Sequence, residues 1–220
     1  KYLSYSKSDI SILCISGFSS LKYLEQIIIN TNNLGLVNKE SVVAVGNIIN
    51  KLSKKYNTKI YPLDSEHFSL QNFFNSNSLQ KEKKDIHQVL LTASGGPFLY
   101  KKTLDIKNAS LNEAINHPKW KMGIKNSVDS ATLVNKCLEV IEAHYLFDIE
   151  YKKLKIIIHP ESLVHSIVQF NDFTSCLNYF YHDMFIPLYN FFIDTSERKK
   201  ININNNKYKM KNNFVLNFYE

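Results

Sequence analysis

In the first sixty-odd residues, short apolar runs alternate with longer amphipathic ones, and this alternation constrains the fold more than any other feature. "DISILCISGFSSLKYLEQIIIN" reads as a buried strand, a Gly-containing turn and a helix. "NLGLVNKESVVAVGNIINKLSKKY" repeats the scheme with a polar turn at Asn38-Lys39-Glu40, and "TKIYPLD" supplies a third short strand. Strands and helices alternating at this spacing predict an α/β fold with a parallel sheet. No GxGxxG-type loop occurs and the chain opens directly on this sheet, so part of a dinucleotide-binding sheet is expected to be absent.

Farther on, "FFNSNSLQKEKKD" reads as a polar connection, "IHQVLLTAS" as a strand and "GGPF" as a loop. A long helix is expected from about Ser130, followed by strand-like runs in "KLKIIIHP", "SLVHSIVQF" and "TSCLNYFY". From about Thr195 the chain is Asn/Lys-rich and reads as linker.

With 44% hydrophobic residues among 220, the chain can build a real core. No apolar run reaches the roughly 18 residues of a membrane span. The net charge of +7 rests on lysines scattered among asparagine and isoleucine, as an AT-rich genome would produce, and no RNP, KH or zinc-finger signature accompanies it. Neither a nucleic-acid nor a membrane partner is therefore expected. Cys14, Cys137 and Cys176 lack CxxC spacing, which suits a reducing compartment.

Several segments could carry chemistry. "LDSEH" puts Asp64 and Glu66 two apart at a strand's end, where alternate side chains point the same way. Two such carboxylates repel unless a cation or proton lies between them, and hard oxygen ligands suit Mg²⁺ or Mn²⁺; a solvated loop is the plainer alternative. "TASGGPF" ends a strand with Ser94 and two glycines that would let the backbone approach an anion, or make an ordinary tight turn. On the following helix, Val134, Leu138, Ile141 and Tyr145 form one stripe, expected to face the core. Thr132, Asn135, Lys136 and Glu139 lie roughly opposite, able to hold a phosphate and a metal or merely to face solvent. Ser130 is expected near the helix start, where free N–H groups favour an anion. Lys39 lies in a turn after a strand, a usual place for ligand contacts. His117, Ser162 and His165 read equally well as structural residues.

Taken together, "NKES", "LDSEH", "SGGPF", "HPKWKMG", "VDSATLVNKCLEVIEA", "HPESLVHS" and "DMFIP" resemble, in order and spacing, the 1-deoxy-D-xylulose 5-phosphate reductoisomerase family. These are NADPH-dependent enzymes of non-mevalonate isoprenoid biosynthesis. The resemblance covers about residues 10 to 190 and implies part of a Rossmann-like sheet followed by an α+β catalytic domain. It places the end of the NADPH-binding domain at 1–60, the metal- and substrate-binding catalytic domain at 61–194, and a linker toward a C-terminal helical domain at 195–220. Lys39, Asp64, Glu66 and Glu139 would be catalytic, with Asp64, Glu66 and Glu139 holding Mg²⁺ or Mn²⁺.

Ser94, Ser130, Asn135 and Lys136, with His117 nearby, would hold the phosphate of a small sugar substrate, while Lys39 and Ser65 touch its backbone. Asn38, Glu40 and Gly123 would contact NADPH. Trp120 and Met122 would belong to a lid, and Met184 would line the pocket. A homodimer through the catalytic domain is implied, in bacterial cytoplasm or in an apicomplexan plastid stroma.

The sequence departs from the family where Cys137 and Phe173 replace glycines and where "HDM" replaces Pro-Asp-Met. A side chain at 137 is expected to crowd the pocket floor. Cys137, Phe173 and the expected truncation motivate a rival reading, a phosphate-binding relic without turnover, which the intact Asp64, Glu66 and Glu139 oppose. A different NADP-linked sugar-phosphate dehydrogenase is another rival, but would not need three carboxylates. A basic RNA-binding protein is a third, and predicts salt-sensitive retention on polyanions.

Overall fold

The computed structural model describes residues 6–76, 81–120, 123–196 and 216–219. β1 (Ser8–Leu13), β2 (Thr31–Leu36) and β3 (Lys59–Pro62) form a parallel sheet in that order. α1 (Leu21–Ile29) and α2 (Lys39–Tyr56) are its crossovers, as the alternation predicts. Leu13, Ile28, Leu34, Leu36 and Ile49 fill the core between sheet and helices.

A second sheet has the order β5-β4-β6-β7. β4 (Ile86–Ala93) runs parallel to β5 (Leu154–Ile158) and antiparallel to β6 (Val164–Phe170), which pairs antiparallel with β7 (Ser175–Tyr179). α3 (Ser65–Asn75) and, after the short helices α4 (Thr103–Lys107) and α5 (Leu111–Ile115), α7 (Val134–Phe147) are the covering helices; α3 and α7 bury Leu70, Ala143 and Phe147 against Val89, Leu91 and Val168 of this sheet. A parallel sheet followed by a mixed α+β unit is the fold class expected from the family resemblance.

Two close approaches join the units. α2 lies against α7 at Gly46, where a Cβ would come within 2.4 Å of the Tyr145 ring, so only glycine permits this spacing. That contact brings the first turn of α2 to the polar side of α7. α8 (Phe185–Thr195) returns to the first sheet, with Phe191 edge-on to Tyr61 at 5.1 Å.

Three local expectations change. "LDSEH" is not the end of a strand: Asp64 is the N-cap of α3, its side chain accepting the Glu66 N–H, and that helix continues through Phe73 and Phe74 into the expected connection. The expected strand does form, but it ends at Pro62, and Asx capping at Asp64 starts a helix where an extended strand end was expected. The helix expected from Ser130 is two helices, α6 (Ile124–Ala131) and α7, broken at Leu133 with φ 60°. Ser130 thus closes α6 rather than opening α7. Finally, the stretch read as linker ends in a sheet contact, where Tyr219 pairs antiparallel with Ile158 on the edge of β5 and Phe218 stacks on His159.

Phe173 sits in the β6–β7 turn at φ 66° and is 99% exposed, so its side chain gains no burial in return for a left-handed backbone. L-residues lose roughly 1–2 kcal/mol there, partly offset by the extra unfolded-state freedom of glycine. Phe173→Gly is expected to stabilise the chain by up to about 1 kcal/mol. Urea unfolding checks this, and a destabilised variant would refute the strain assignment.

Candidate active site

The ends of α2, α3, β4 and α6, with the side of α7, surround a cavity of about 270 Å³. Lys39, Asp64, Ser65, Glu66, Ser94, His117, Trp120, Ser130, Asn135, Lys136, Glu139 and Met184 line it, so most residues singled out in the sequence are brought to one place.

At its floor lie the carboxylates. One oxygen each of Asp64, Glu66 and Glu139 falls within 4.8 Å of the others. Lys39 Nζ donates to Asp64 Oδ2 at 2.7 Å, to Glu139 Oε1 at 2.7 Å and to Asn135 Oδ1 at 2.9 Å. Lys136 Nζ lies 2.7 Å from Glu66 Oε1 and 2.5 Å from Glu139 Oε2. Ser65 Oγ donates to Glu66 Oε2 at 2.7 Å, and the Asn135 amide donates to Glu139 Oε1. Glu139 is only 1% exposed, and its Oε2, despite the nearby Lys136 charge, accepts no well-formed hydrogen bond.

Charge compensation shapes the titration of these groups. Burial disfavours the Lys39 cation, but Asp64, Glu139 and Glu142 outweigh it and hold its pKa well above the ordinary value. Burial likewise works against the Asp64 carboxylate, yet Lys39 and then His67 hold its pKa well below the usual range. Glu66 goes the other way: burial, followed by the Glu139 carboxylate, pushes it up to about 7. Three convergent carboxylate donors fit a hard divalent cation, which would take over compensation now supplied by two lysines.

The other end of the cavity is formed where β4 runs into Ser94-Gly95-Gly96. Gly96 adopts φ 65°, and a Cβ there would lie 3.0 Å from the Ser130 carbonyl oxygen, so glycine allows this turn to pack against the end of α6. His117 Nδ1 accepts the backbone N–H groups of Trp120 at 2.9 Å and Lys119 at 3.2 Å. Its proton is therefore on Nε2, which donates to Ser94 Oγ at 2.8 Å. Ser94 Oγ also accepts the Gly96 N–H at 3.2 Å, leaving its own hydroxyl proton to donate elsewhere. Burial, then His182, lowers the His117 pKa and keeps the ring neutral.

Trp120 stands over this end, its ring edge-on to His165 and His182 at 6.1 and 5.8 Å. His165, with its pKa lowered to about 3 by burial, donates from Nε2 to the Phe180 carbonyl and forms an apolar-sided wall. Met122 lies outside the described residues.

The residues implied for NADPH stand apart from this lining. Asn38 caps α2, and its amide donates to the Ile15 and Gly17 carbonyls and to Glu40 Oε2. Glu40 Oε1 pairs with Lys125 of α6 at 2.8 Å. Both side chains are thus committed to shaping the turn, while Gly123 leaves open space beside its backbone.

The polar side of α7 is the buried one, while of the stripe expected to face the core Tyr145 packs against the core of the first sheet. Lys136, Glu139, Glu142 and Ala143 are buried, whereas Val134 is 45% exposed and Leu138, Ile141 and Tyr145 are half-buried. Cation–carboxylate pairing makes the polar face compatible with burial, which hydrophobic periodicity by itself does not register. Cys137 is exposed and absent from the cavity wall, so it does not crowd the floor. Sequence reasoning missed His67 and Glu142, buried beneath the carboxylates, and Asn126 and Thr92 on the wall. For His67 the signal was its place in the first turn after Asp64.

Residues 60–147 match the family pattern described as the 1-deoxy-D-xylulose 5-phosphate reductoisomerase C-terminal domain. The chain is 46% identical over 169 residues to the 1-deoxy-D-xylulose 5-phosphate reductoisomerase of Clostridium acetobutylicum, covering 77% of this chain and 43% of the relative. It is 40% identical over 205 residues to that of Clostridium kluyveri, covering 93% and 52%. The chain belongs to the 1-deoxy-D-xylulose 5-phosphate reductoisomerase family. It spans about half the length of these curated relatives. A crystal structure of a DOX-P reductoisomerase in complex with NADPH, fosmidomycin and magnesium superposes with a TM-score of 0.87 at 33% identity, over 99% of this chain and 54% of that one. In that structure, then, the fold seen here occurs together with NADPH, fosmidomycin and magnesium. No described helix is long and apolar enough to cross a membrane.

Proposed function

We propose that this chain carries the metal- and substrate-binding half of a reductoisomerase that converts 1-deoxy-D-xylulose 5-phosphate into 2-C-methyl-D-erythritol 4-phosphate. The observation that carries the reading is the single cavity with three converging carboxylates at one end and Ser94, Ser130 and neutral His117 at the other. When bound, Mg²⁺ or Mn²⁺ polarises substrate carbonyl and hydroxyl oxygens and NADPH supplies a hydride.

The chain's own residues bind and orient. Asp64, Glu66 and Glu139 hold the cation, with Lys39 and Lys136 balancing their charge and Lys39, with Ser65, reaching the substrate's oxygens. The Ser94 hydroxyl donates to a phosphate oxygen, helped by Ser130, Asn135 and Lys136, and His117 fixes the direction of that hydroxyl. Binding energy at the phosphate thereby orients a flexible sugar for reaction at carbons some distance away. Trp120 closes over the substrate and excludes water. Asn38, Glu40 and Gly123 shape the approach for the nicotinamide end.

Residues 1–60 then belong to the cofactor side and 61–194 to the catalytic domain, with 195–220 leading onward and the catalytic domain forming a homodimer. Bacterial relatives support a cytoplasmic setting, with a plastid stroma as the eukaryotic counterpart. Of the motives for the relic reading, Cys137 and Phe173 lose their force, since neither lines the cavity.

Trp120 is the chain's single tryptophan, so it reports closure directly. A phosphonate hydroxamate added with Mg²⁺ is expected to shift its emission, and chelation to remove the shift. A response that persists with chelator would sink the metal-anchored reading. Consumption of NADPH in the presence of 1-deoxy-D-xylulose 5-phosphate distinguishes turnover from a binding relic.

A further inference from the structure

Two polar side chains of the cavity wall sit one turn apart on α6, and the chemistry described so far uses only one of them. Asn126 and Ser130 both line the cavity. Four residues apart, they lie on one face of the helix, with Cβ atoms about 5–6 Å from each other. Most other polar side chains of the wall are already engaged: Asn135 with Lys39 and Glu139, Thr92 with the Val164 carbonyl, Ser94 with His117. The side chains of Asn126 and Ser130 make no hydrogen bond to any described residue. An amide carries two N–H donors and a carbonyl acceptor, and in a half-buried wall these need water or a ligand.

The helix is clamped so that this face stays inward. Lys125 Nζ pairs with Glu40 Oε1 of α2 at 2.8 Å and with Asp129 Oδ2 at 2.5 Å. Glu40 is only 6% exposed, so the link between α6 and α2 is largely withdrawn from water. Ser127 is buried, and the Ser130 carbonyl fits against Gly96, where a Cβ would lie 3.0 Å away. Asn126 is thereby offered to the cavity at a fixed orientation.

The neighbours of Asn126 decide what it meets. Ser130 on its own helix and Ser94 at the end of β4 supply hydroxyl donors at the end of the cavity away from the converging carboxylates. Two donors whose Cβ atoms are about 5–6 Å apart can each reach a different oxygen of one phosphate through hydrogen bonds of about 2.8–3.0 Å. A neutral amide donor suits such an acceptor as well as a hydroxyl does.

We propose that Asn126 is a further phosphate-binding residue: its amide N–H donates to a phosphate oxygen of the substrate, beside the oxygen that Ser130 holds. This rests on the reading of the Ser94–Ser130 end as the phosphate site, and extends that site by one turn of α6 toward Gly123.

The test is calorimetry on the full chain with Mg²⁺ present, comparing a phosphonate hydroxamate with the same hydroxamate lacking its phosphonate. Asn126→Leu keeps nearly the same shape and removes the donor. It is expected to weaken the phosphonate ligand about 10–100-fold, as loss of a hydrogen bond to a charged group does, and to leave the phosphonate-free ligand and Mn²⁺ affinity unchanged. Asn126→Asp, which sets a carboxylate against the phosphonate, is expected to weaken it further still. Should Asn126→Leu disturb α6, Asn126→Ala carries the same test with a better helix former.

Unchanged phosphonate affinity in Asn126→Leu and Asn126→Ala would overturn the proposal. Equal losses for the two hydroxamates would overturn it as well, because the amide would then act elsewhere on the ligand or only on the shape of the site. So would Asn126→Asp binding the phosphonate as tightly as Asn126→Leu. Ser94→Ala serves as the control: if that variant keeps normal phosphonate affinity, the phosphate end itself has been misassigned, a failure distinct from that of Asn126.

Discussion

Glu139→Gln is expected to abolish Mn²⁺ binding while the fold survives. The substitution removes one of three negative charges and leaves a neutral amide of nearly the same shape. Loss of a first-rank anionic ligand should cost at least about 100-fold in affinity, or roughly 3 kcal/mol at 1.4 kcal/mol per factor of ten. The fold tolerates the change because neither lysine is stranded: Lys39 keeps Asp64, and Lys136 keeps Glu66. The glutamine oxygen can still accept from one of them. Electron paramagnetic resonance should show only free Mn²⁺ across the wild-type binding range, while thermal unfolding remains cooperative. Retained affinity would remove Glu139 from the cation site, and with it the central support for the proposed chemistry.

The parallel sheet was legible because each strand and crossover of the first unit has its own local pattern, from "DISIL" to "TKIYP". The second sheet was legible as strand-like runs, although nothing local dictates that β4 pairs parallel with β5 and antiparallel with β6. α3 was hidden because an Asp N-cap and a mixed polar–aromatic helix look like a strand end and a loop. The inward face of α7 was misread for a related reason. Hydrophobic periodicity ranks Val134 and Leu138 above Lys136 and Glu139 for burial, but a residue 39 lysine from another helix reverses the order. Such compensation arises only in three dimensions. The family's motifs, by contrast, located Asp64, Glu66, Ser94, His117, Ser130, Asn135, Lys136 and Glu139 on one cavity, although spacing alone left each ambiguous.

The same compensation predicts opposite effects on stability and on metal affinity when Lys39 is neutralised. Its ammonium lies 2.7 Å from both Asp64 and Glu139, on carboxylates that the proposed cation must share. Lys39→Met keeps the packing of the stem and removes the charge. Without metal, Asp64 then relies on His67, and Glu139 on Lys136. Breaking a buried pair costs about 3–5 kcal/mol, and the remaining partners place this case near the lower end. With chelator present, the melting temperature is expected to fall by roughly 6–12 °C, at about 2–4 °C per kcal/mol for a chain of this size.

Mn²⁺ is expected to bind the variant more tightly, by roughly tenfold if the competing ammonium costs the ion about 1.4 kcal/mol. Saturating Mn²⁺ should therefore raise the melting temperature of Lys39→Met by more than it raises that of the unaltered chain. Calorimetric scans of both proteins, with and without metal, measure this difference of differences. An equal rise in the two would mean that Lys39 and the cation do not share the same carboxylate oxygens, and that the cation binds elsewhere on the cluster.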